Sequence, residues 1–265
     1  MKKILVLLSM ICMCGVALAH TINWYADNQI ISTTTCQSGD SITPPTAPAK
    51  YGYTFAGWGD GYTFLEYIES TGTQYIDTGI VLNNLTAKIT TDFSFMTATA
   101  TDKPQTVWGF IGSSQMPRWG LSKIKESAIP AYLASLNSTN TVGTINTNRH
   151  IAVQYIQTTD YASIPYLKLD ADNPVPCGTP HEFSKYTNNT ISAFIFGRNN
   201  GGFVDNFVDC RIYRITFEQN GHIIGNFIPA RRGSDSAIGM YDTVTKTFFK
   251  NAGTGEFIAG PEVGS

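Results

Sequence analysis

Polar and apolar residues alternate along most of this chain, and a period of two is the signature of extended structure. Ala87, Ile89, Thr91, Phe93 and Phe95 fall on one side of such a segment, and Lys88, Thr90, Asp92 and Ser94 on the other. Successive side chains of a strand point to opposite faces, so the pattern predicts a half-buried strand. Residues 151–157, 166–170 and 210–217 read the same way, with Tyr213, Ile215 and Phe217 expected on one face. Residues 191–196 are apolar on both sides, which predicts a central strand covered twice. After Ala19 no segment sustains helical spacing for three turns. The nearest attempt, residues 121–136, is interrupted by Pro130 and leaves room for one short helix at most. Asn199-Asn200-Gly201-Gly202, Asn220-Gly221 and Asn251-Ala252-Gly253 punctuate the runs with residues that tolerate positive φ. Asn220-Gly221 between two strand patterns predicts a hairpin. Many short strands, frequent turns and almost no helix predict an all-β sandwich or jelly roll.

The N-terminus breaks this pattern. Lys2 and Lys3 precede an apolar run over residues 4–18 that ends in Ala17-Leu18-Ala19, the layout of a secretory leader cleaved after Ala19. A run of about fifteen residues is shorter than the roughly twenty that a spanning helix needs, so no stable membrane insertion is expected after cleavage. Cys12 and Cys14 leave with the leader. Residues 20–60 read as a small β module: a strand over 21–31, a second over 36–42, a stretch Pro44-Pro45-Thr46-Ala47-Pro48 that forbids regular pairing, and a closing strand over 51–58. Gly57, Gly59, Asp60 and Gly61 mark the boundary to a large domain over residues 61–265.

Composition narrows the functional classes. The formal net charge is −2, and it becomes −4 once Lys2 and Lys3 are removed, so no nucleic-acid surface is implied. Only 14% of residues are charged, as in extracellular β proteins rather than helical cytosolic enzymes. Together with the leader, this predicts a secreted, periplasmic or cell-surface location. Cys36, Cys177 and Cys210 remain, and an odd number in an oxidising compartment leaves at least one thiol unpaired or intermolecular.

Two family resemblances sharpen the fold. Thr46-Ala47-Pro48-Ala49-Lys50-Tyr51-Gly52-Tyr53-Thr54-Phe55-Ala56-Gly57-Trp58 resembles the internalin-B type B repeat, also called the Listeria-Bacteroides repeat, and implies a small β-grasp-like unit of surface proteins over about residues 21–59. From Leu65-Glu66-Tyr67-Ile68-Glu69-Ser70-Thr71-Gly72 onward the chain is similar to the laminin-G-like, concanavalin A-like jelly-roll sandwich modules of bacterial surface and phage-borne proteins. Ile195-Phe196-Gly197-Arg198-Asn199, Asn226-Phe227-Ile228-Pro229-Ala230 and Ile238-Gly239-Met240-Tyr241-Asp242 agree with it. That superfamily includes lectins, adhesion modules and glycosidases, so the likeness implies a fold more than a function.

The candidate chemistry is that of recognition. Sugar sites combine aromatic faces with polar handles, which singles out Trp108, Trp119, Tyr132 and Tyr161, with Arg198 and Asn199 as polar partners. An indole also packs into a core wherever its strand parity turns it inward. Asp205 and Asp209 beside the 199–202 turn are candidates for a calcium ion held by hard oxygen ligands, with turn-capping as the other reading. His20, His150, His181 and His222 form no zinc pattern. Nothing resembles the carboxylate string of laminarinase-type enzymes, and Glu66 and Glu69 point to opposite faces of a strand. The expectation is a non-catalytic recognition or adhesion protein that binds glycan or a surface protein. A glycoside hydrolase with carboxylates from separate strands and an architectural envelope or phage-derived component stand as alternatives.

Overall fold

The strand Lys88–Phe95 shows how the chain builds its layers. Ala87, Ile89, Thr91, Phe93 and Phe95 are buried, while Lys88 is exposed and Thr90 and Asp92 are half-buried, as the alternation requires. The computed structural model describes residues 2–4, 8–9, 19–26, 29–37, 40–55, 61–83, 86–99, 101–111, 118–126, 129–135, 142–144, 146–158, 163–177, 189–233 and 235–263. Among these residues the chain is all-β, and it forms two compact units: Met1–Phe64 with Arg231–Ala237, and Leu65–Ala230 with Ile238–Ser265.

The larger unit is a sandwich of two sheets. The smaller sheet runs, in spatial order, Val142–Thr144, Ile129–Ser135, Arg118–Glu126, Gln105–Ile111, Ser192–Ile195, Ile76–Val81. The spine of the larger sheet runs Val175–Pro176, Ser163–Leu169, His150–Thr158, Lys88–Phe95, Asp209–Gln219, His222–Arg232, Ile238–Asp242, Thr247–Lys250. Ser192–Ile195 lies between two partners, and Ala193, Phe194 and Ile195 are buried on both faces, as the apolar pattern of residues 191–196 predicts. Aromatic rings join the layers. Trp108 and Trp119 of the smaller sheet meet edge to face at 5.6 Å, Trp108 meets Phe217 of the larger sheet at 5.8 Å, and Phe217 meets Phe227 at 5.9 Å. Such pairs add about 0.5–1.5 kcal/mol each beyond the area they bury. Gln154 reaches across as well, its Nε2 donating to the Gly120 carbonyl at 2.8 Å.

In the smaller unit the hairpin His20–Ala26/Gln29–Cys36 turns Ile22 and Trp24 inward, and the Trp24 indole N–H donates to Thr34 Oγ1 at 2.9 Å. Leu8–Ser9 pairs antiparallel with His20–Ala26, and Lys2–Ile4 runs parallel to Tyr53–Phe55.

Residues 121–136, which leave room for one short helix at most, hold no described helix: Arg118–Glu126 and Ile129–Ser135 are paired strands. Three expectations are corrected. The first strand of the first hairpin ends at Ala26 rather than Ile31, and its partner strand is Gln29–Cys36 and not residues 36–42. The closing strand expected over 51–58 is described only as Tyr53–Phe55; residues 56–58 lie outside the described set. Finally, Tyr213 does not share the inner face with Ile215 and Phe217. The pairing of Asp209–Gln219 with Lys88–Phe95 slips between Ile212 and Arg214, and this bulge inverts the alternation. Cys210, Ile212, Ile215 and Phe217 are therefore buried, while Tyr213 turns outward. The Asn220-Gly221 hairpin is present, with φ of 53° and 72° at its two central residues.

Cys36, Cys177 and Cys210 form no disulfide among the described residues. Cys210 is fully buried, and desolvation pushes its thiol well above the usual range.

Two substitutions test this packing. Phe217→Ala removes the ring that joins the layers and is expected to cost about 3–5 kcal/mol in a denaturant titration. Gly239→Ala drives a methyl into the Phe249 carbonyl oxygen of the neighbouring strand, so it should destabilise as well, although alanine is the better strand former.

Candidate functional site

The residues singled out for sugar and calcium fall mostly to structural duties. Trp108 and Trp119 are 0% and 3% exposed, so neither presents a face to a ligand; strand parity points both into the core. Tyr132 lies on Ile129–Ser135, where only the backbone is described, and Tyr161 lies outside the described residues. Arg198, Asn199 and Asp205 do come together, in the hairpin Arg198–Asn200/Phe203–Asp205, but they stitch it to itself. Arg198 clamps Asp205 through Nε at 2.7 Å and Nη2 at 2.6 Å, and Asn200 donates to the same carboxylate at 3.0 Å. Asn199 donates to the Ser192 carbonyl at 3.0 Å and accepts the Gly202 N–H at 2.7 Å. Asp209 accepts from Gln105 at 3.0 Å and from the buried Lys123 ammonium at 3.3 Å. Each of these two carboxylates thus faces a cation of the chain itself. Among the described residues no three His, Cys, Asp or Glu gather as metal ligands.

A different set of side chains converges on the outer face of the larger sheet. Thr90 and Asp92, Ile151, and Arg214 and Thr216 line a shallow depression of about 300 Å³ across three neighbouring strands. Register fixes their rows. Asp92 lies between Ile151 and Arg214, and Thr90 between Val153 and Thr216. Tyr155 points the same way as Ile151, four residues or about 13 Å further along the strand. It stacks on its cross-strand partner Tyr166, centroids 5.5 Å apart and planes 10° from parallel. On the other flank Tyr213 meets Tyr67 edge to face at 5.4 Å. The Arg149 guanidinium sits 4.0 Å over Tyr213, and Arg211 sits 4.4 Å over Tyr67.

Charges on this face are mostly self-neutralised. Arg149 grips Asp92 through Nε at 2.7 Å and Nη2 at 2.6 Å, Arg211 bonds Glu69 at 2.8 Å, and Lys88 reaches Glu218 at 3.2 Å. The hydrogen bonds to Asp92 and Glu69 push the Arg149 and Arg211 guanidinium groups further into their charged forms against the pull of desolvation. Arg214 is treated differently: its Nε donates to Asn226 Oδ1 at 2.7 Å, an oxygen shared with the Thr216 hydroxyl at 3.3 Å. The face thus offers hydroxyls, an apolar floor, ring surfaces and one oriented guanidinium.

Nothing in the linear spacing had singled out Tyr67, Tyr155, Tyr166, Tyr213 or Arg214. The alternation of residues 151–157 carried part of the signal, since Ile151, Val153, Tyr155 and Gln157 oppose the buried Ala152, Gln154 and Ile156. The bulge at Tyr213 left no such trace.

The hairpin of the smaller unit, followed by the Tyr51-Gly52-Tyr53-Thr54-Phe55 segment, agrees with the comparison to known families. Residues 20–86 match the Listeria-Bacteroides repeat domain. The match includes the hairpin His20–Ala26/Gln29–Cys36, and its last residues, 65–86, fall in the larger unit. Listeria-Bacteroides repeats occur in bacterial surface or extracellular proteins, which fits a cell-surface location. No curated protein matches the chain.

Beyond the repeat match, one network anchors the strand that carries Ile151 and Tyr155. His150 is wedged between Asp170, at 2.6 Å from Nδ1, and Asn146, at 3.0 Å from Nε2. Asp170 Oδ1 accepts the Ile151 N–H at 2.7 Å, and Asp170 itself adopts a positive φ of 51° where Ser163–Leu169 ends. Desolvation pulls the Asp170 carboxyl upward, but the bonds from His150 and Ile151 outweigh it and hold the group below the ordinary carboxylate range. A depressed folded-state value contributes stability above the unfolded value, and that contribution is lost as pH falls through the folded one. Asp170→Asn should therefore melt at a lower temperature than the parent at neutral pH, and the gap should close as the pH of the melts is taken below the folded value.

Proposed function

We propose that this chain is an exported cell-surface recognition protein whose larger unit binds carbohydrate on the outer face of its larger sheet. The observation that carries the reading is the depression lined by Thr90, Asp92, Ile151, Arg214 and Thr216, set between the Tyr155–Tyr166 stack and the Tyr213–Tyr67 pair. Sugars present C–H faces and hydroxyls together, and this surface answers both, with rings for the faces and threonine and guanidinium groups for the hydroxyls. The repeat supports a surface location, and the leader pattern of residues 1–19 supports export. Hydrolysis is disfavoured on this face because Asp92, Glu218 and Glu69 each sit in an ion pair, whereas a glycosidase needs two carboxyl groups facing a shared sugar.

Polysaccharide arrays followed by titration calorimetry test the reading. Tyr155→Ala should weaken binding by about tenfold, the order of one aromatic contact, while the protein stays folded and loses only about the 0.5–1.5 kcal/mol of the Tyr155–Tyr166 stack. Silence across bacterial, plant and host polysaccharides, or an unchanged affinity in Tyr155→Ala, rejects it. Export is checked separately: the N-terminal residue of the protein recovered outside the cytoplasm should be His20, and cleavage there removes the pairings made by Lys2–Ile4 and Leu8–Ser9.

A further inference from the structure

We infer that the carbohydrate recognised on this face carries carboxylates, as in a polysaccharide of uronic acids. The inference rests on the carbohydrate reading above and adds the class of sugar. Three of the cations on the outer face are already matched: Arg149 with Asp92, Arg211 with Glu69, Lys88 with Glu218. The charge of Glu66 also favours the cationic form of Arg149. Arg214 stands at the depression with no carboxylate partner among the described residues, although Asp92 is its direct cross-strand neighbour. Arg149 holds both oxygens of Asp92 and so keeps that acid from Arg214. Asn226 meanwhile fixes the Arg214 guanidinium through Nε alone and leaves both terminal nitrogens for a ligand. A planar guanidinium held at one edge is a fork suited to a carboxylate, which it binds through two parallel charge-assisted bonds.

A second unpaired cation extends the pattern. Lys168 is half-buried, lies opposite Val153 and has no ion-pair partner among the described residues. From Ser163–Leu169 to Asp209–Gln219 the sheet crosses three inter-strand steps, and Arg214 lies two residues along from Thr216, the position in the row of Lys168, which puts Lys168 and Arg214 about 16 Å apart. Between them lie Val153, Thr90 and Thr216, an apolar and hydroxyl-bearing floor. A linear acidic polysaccharide laid across the strands would meet positive charge at both ends of this path and hydroxyls along it. A neutral glycan would leave both cations without a counter-charge, on a protein whose net charge is negative.

The test compares the full chain, Arg214→Gln and Tyr155→Ala on polygalacturonate and alginate, on the same polymers with their carboxyl groups reduced to alcohols, and on polyglutamate. The parent should bind the acidic polymers at least about tenfold more tightly than the reduced ones, with the preference shrinking as salt rises. Arg214→Gln should fall to the level of the reduced polymers while keeping its residual binding to them, and Tyr155→Ala should weaken both. Equal binding of acidic and reduced polymers by the parent overturns the carboxylate inference and leaves the carbohydrate reading standing. So does an undiminished preference in Arg214→Gln. Polyglutamate bound as tightly as the uronates reduces the face to a general anion surface and overturns the inference, and no binding to any sugar polymer removes both readings.

Discussion

Trp108 and Phe217, one ring from each sheet, meet edge to face with centroids 5.8 Å apart and planes at 88°, and this contact fixes which way the strands that carry them must face. Side chains on a strand alternate, so committing Trp108 and Phe217 to the interior commits Phe110, Ile215 and their same-parity neighbours as well. On Lys88–Phe95 and His150–Thr158 of the larger sheet, most of the opposite parity then turns to the outer face. Thr90, Asp92, Ile151 and Tyr155 reach the outer face because Ile89, Phe93, Ala152 and Ile156 are required inside. A candidate binding surface is in this sense the reverse side of a packing requirement.

Much of the fold was legible in the chain for the same reason. Residues 87–95 and 151–157 alternate without interruption, and the hairpin at Asn220-Gly221 uses residues that accept positive φ at modest cost. Reading failed where a single residue alters the count. The bulge between Ile212 and Arg214 adds one position to a strand of apparently regular spacing, and the parity argument that put Tyr213 inside was correct for every strand without such an insertion. Over residues 121–136 strand pairing on both edges of Arg118–Glu126 outweighs any local helical preference, which Pro130 already interrupts.

The candidate site was less legible than the fold, and the tryptophans show why. Trp108 and Trp119 were attractive because large aromatic residues bind sugars, yet the same size makes them the most effective core fillers, and the sandwich uses them there. The rings on the outer face are tyrosines, whose hydroxyl tolerates water. A similar exchange of roles affects the acids. Asp205 and Asp209 sit near turns where calcium ligands are expected, but Arg198 and Lys123 already supply the positive charge each needs, so a divalent ion would have to displace a fixed cation from each. Sequence shows which groups are present; only register shows which are already spent on one another.

Register also underlies the proposal that the outer face serves recognition. Proton transfer in glycoside cleavage asks two carboxyl groups to hold different protonation states across one bond. Arg149 and Arg211 instead fasten Asp92 and Glu69 into ion pairs and lie over Tyr213 and Tyr67, which locks the rings, the acids and the cations into one arrangement. A surface with its charged side chains fixed loses little rotamer freedom when a ligand settles on it. Within that fixed frame the placement of Asn226 is decisive: by taking one edge of Arg214 with a neutral oxygen it orients the guanidinium without neutralising it. An acid at position 226 would have completed another closed pair, and an apolar residue would have left the guanidinium free to swing. An amide there keeps the positive charge both placed and unspent.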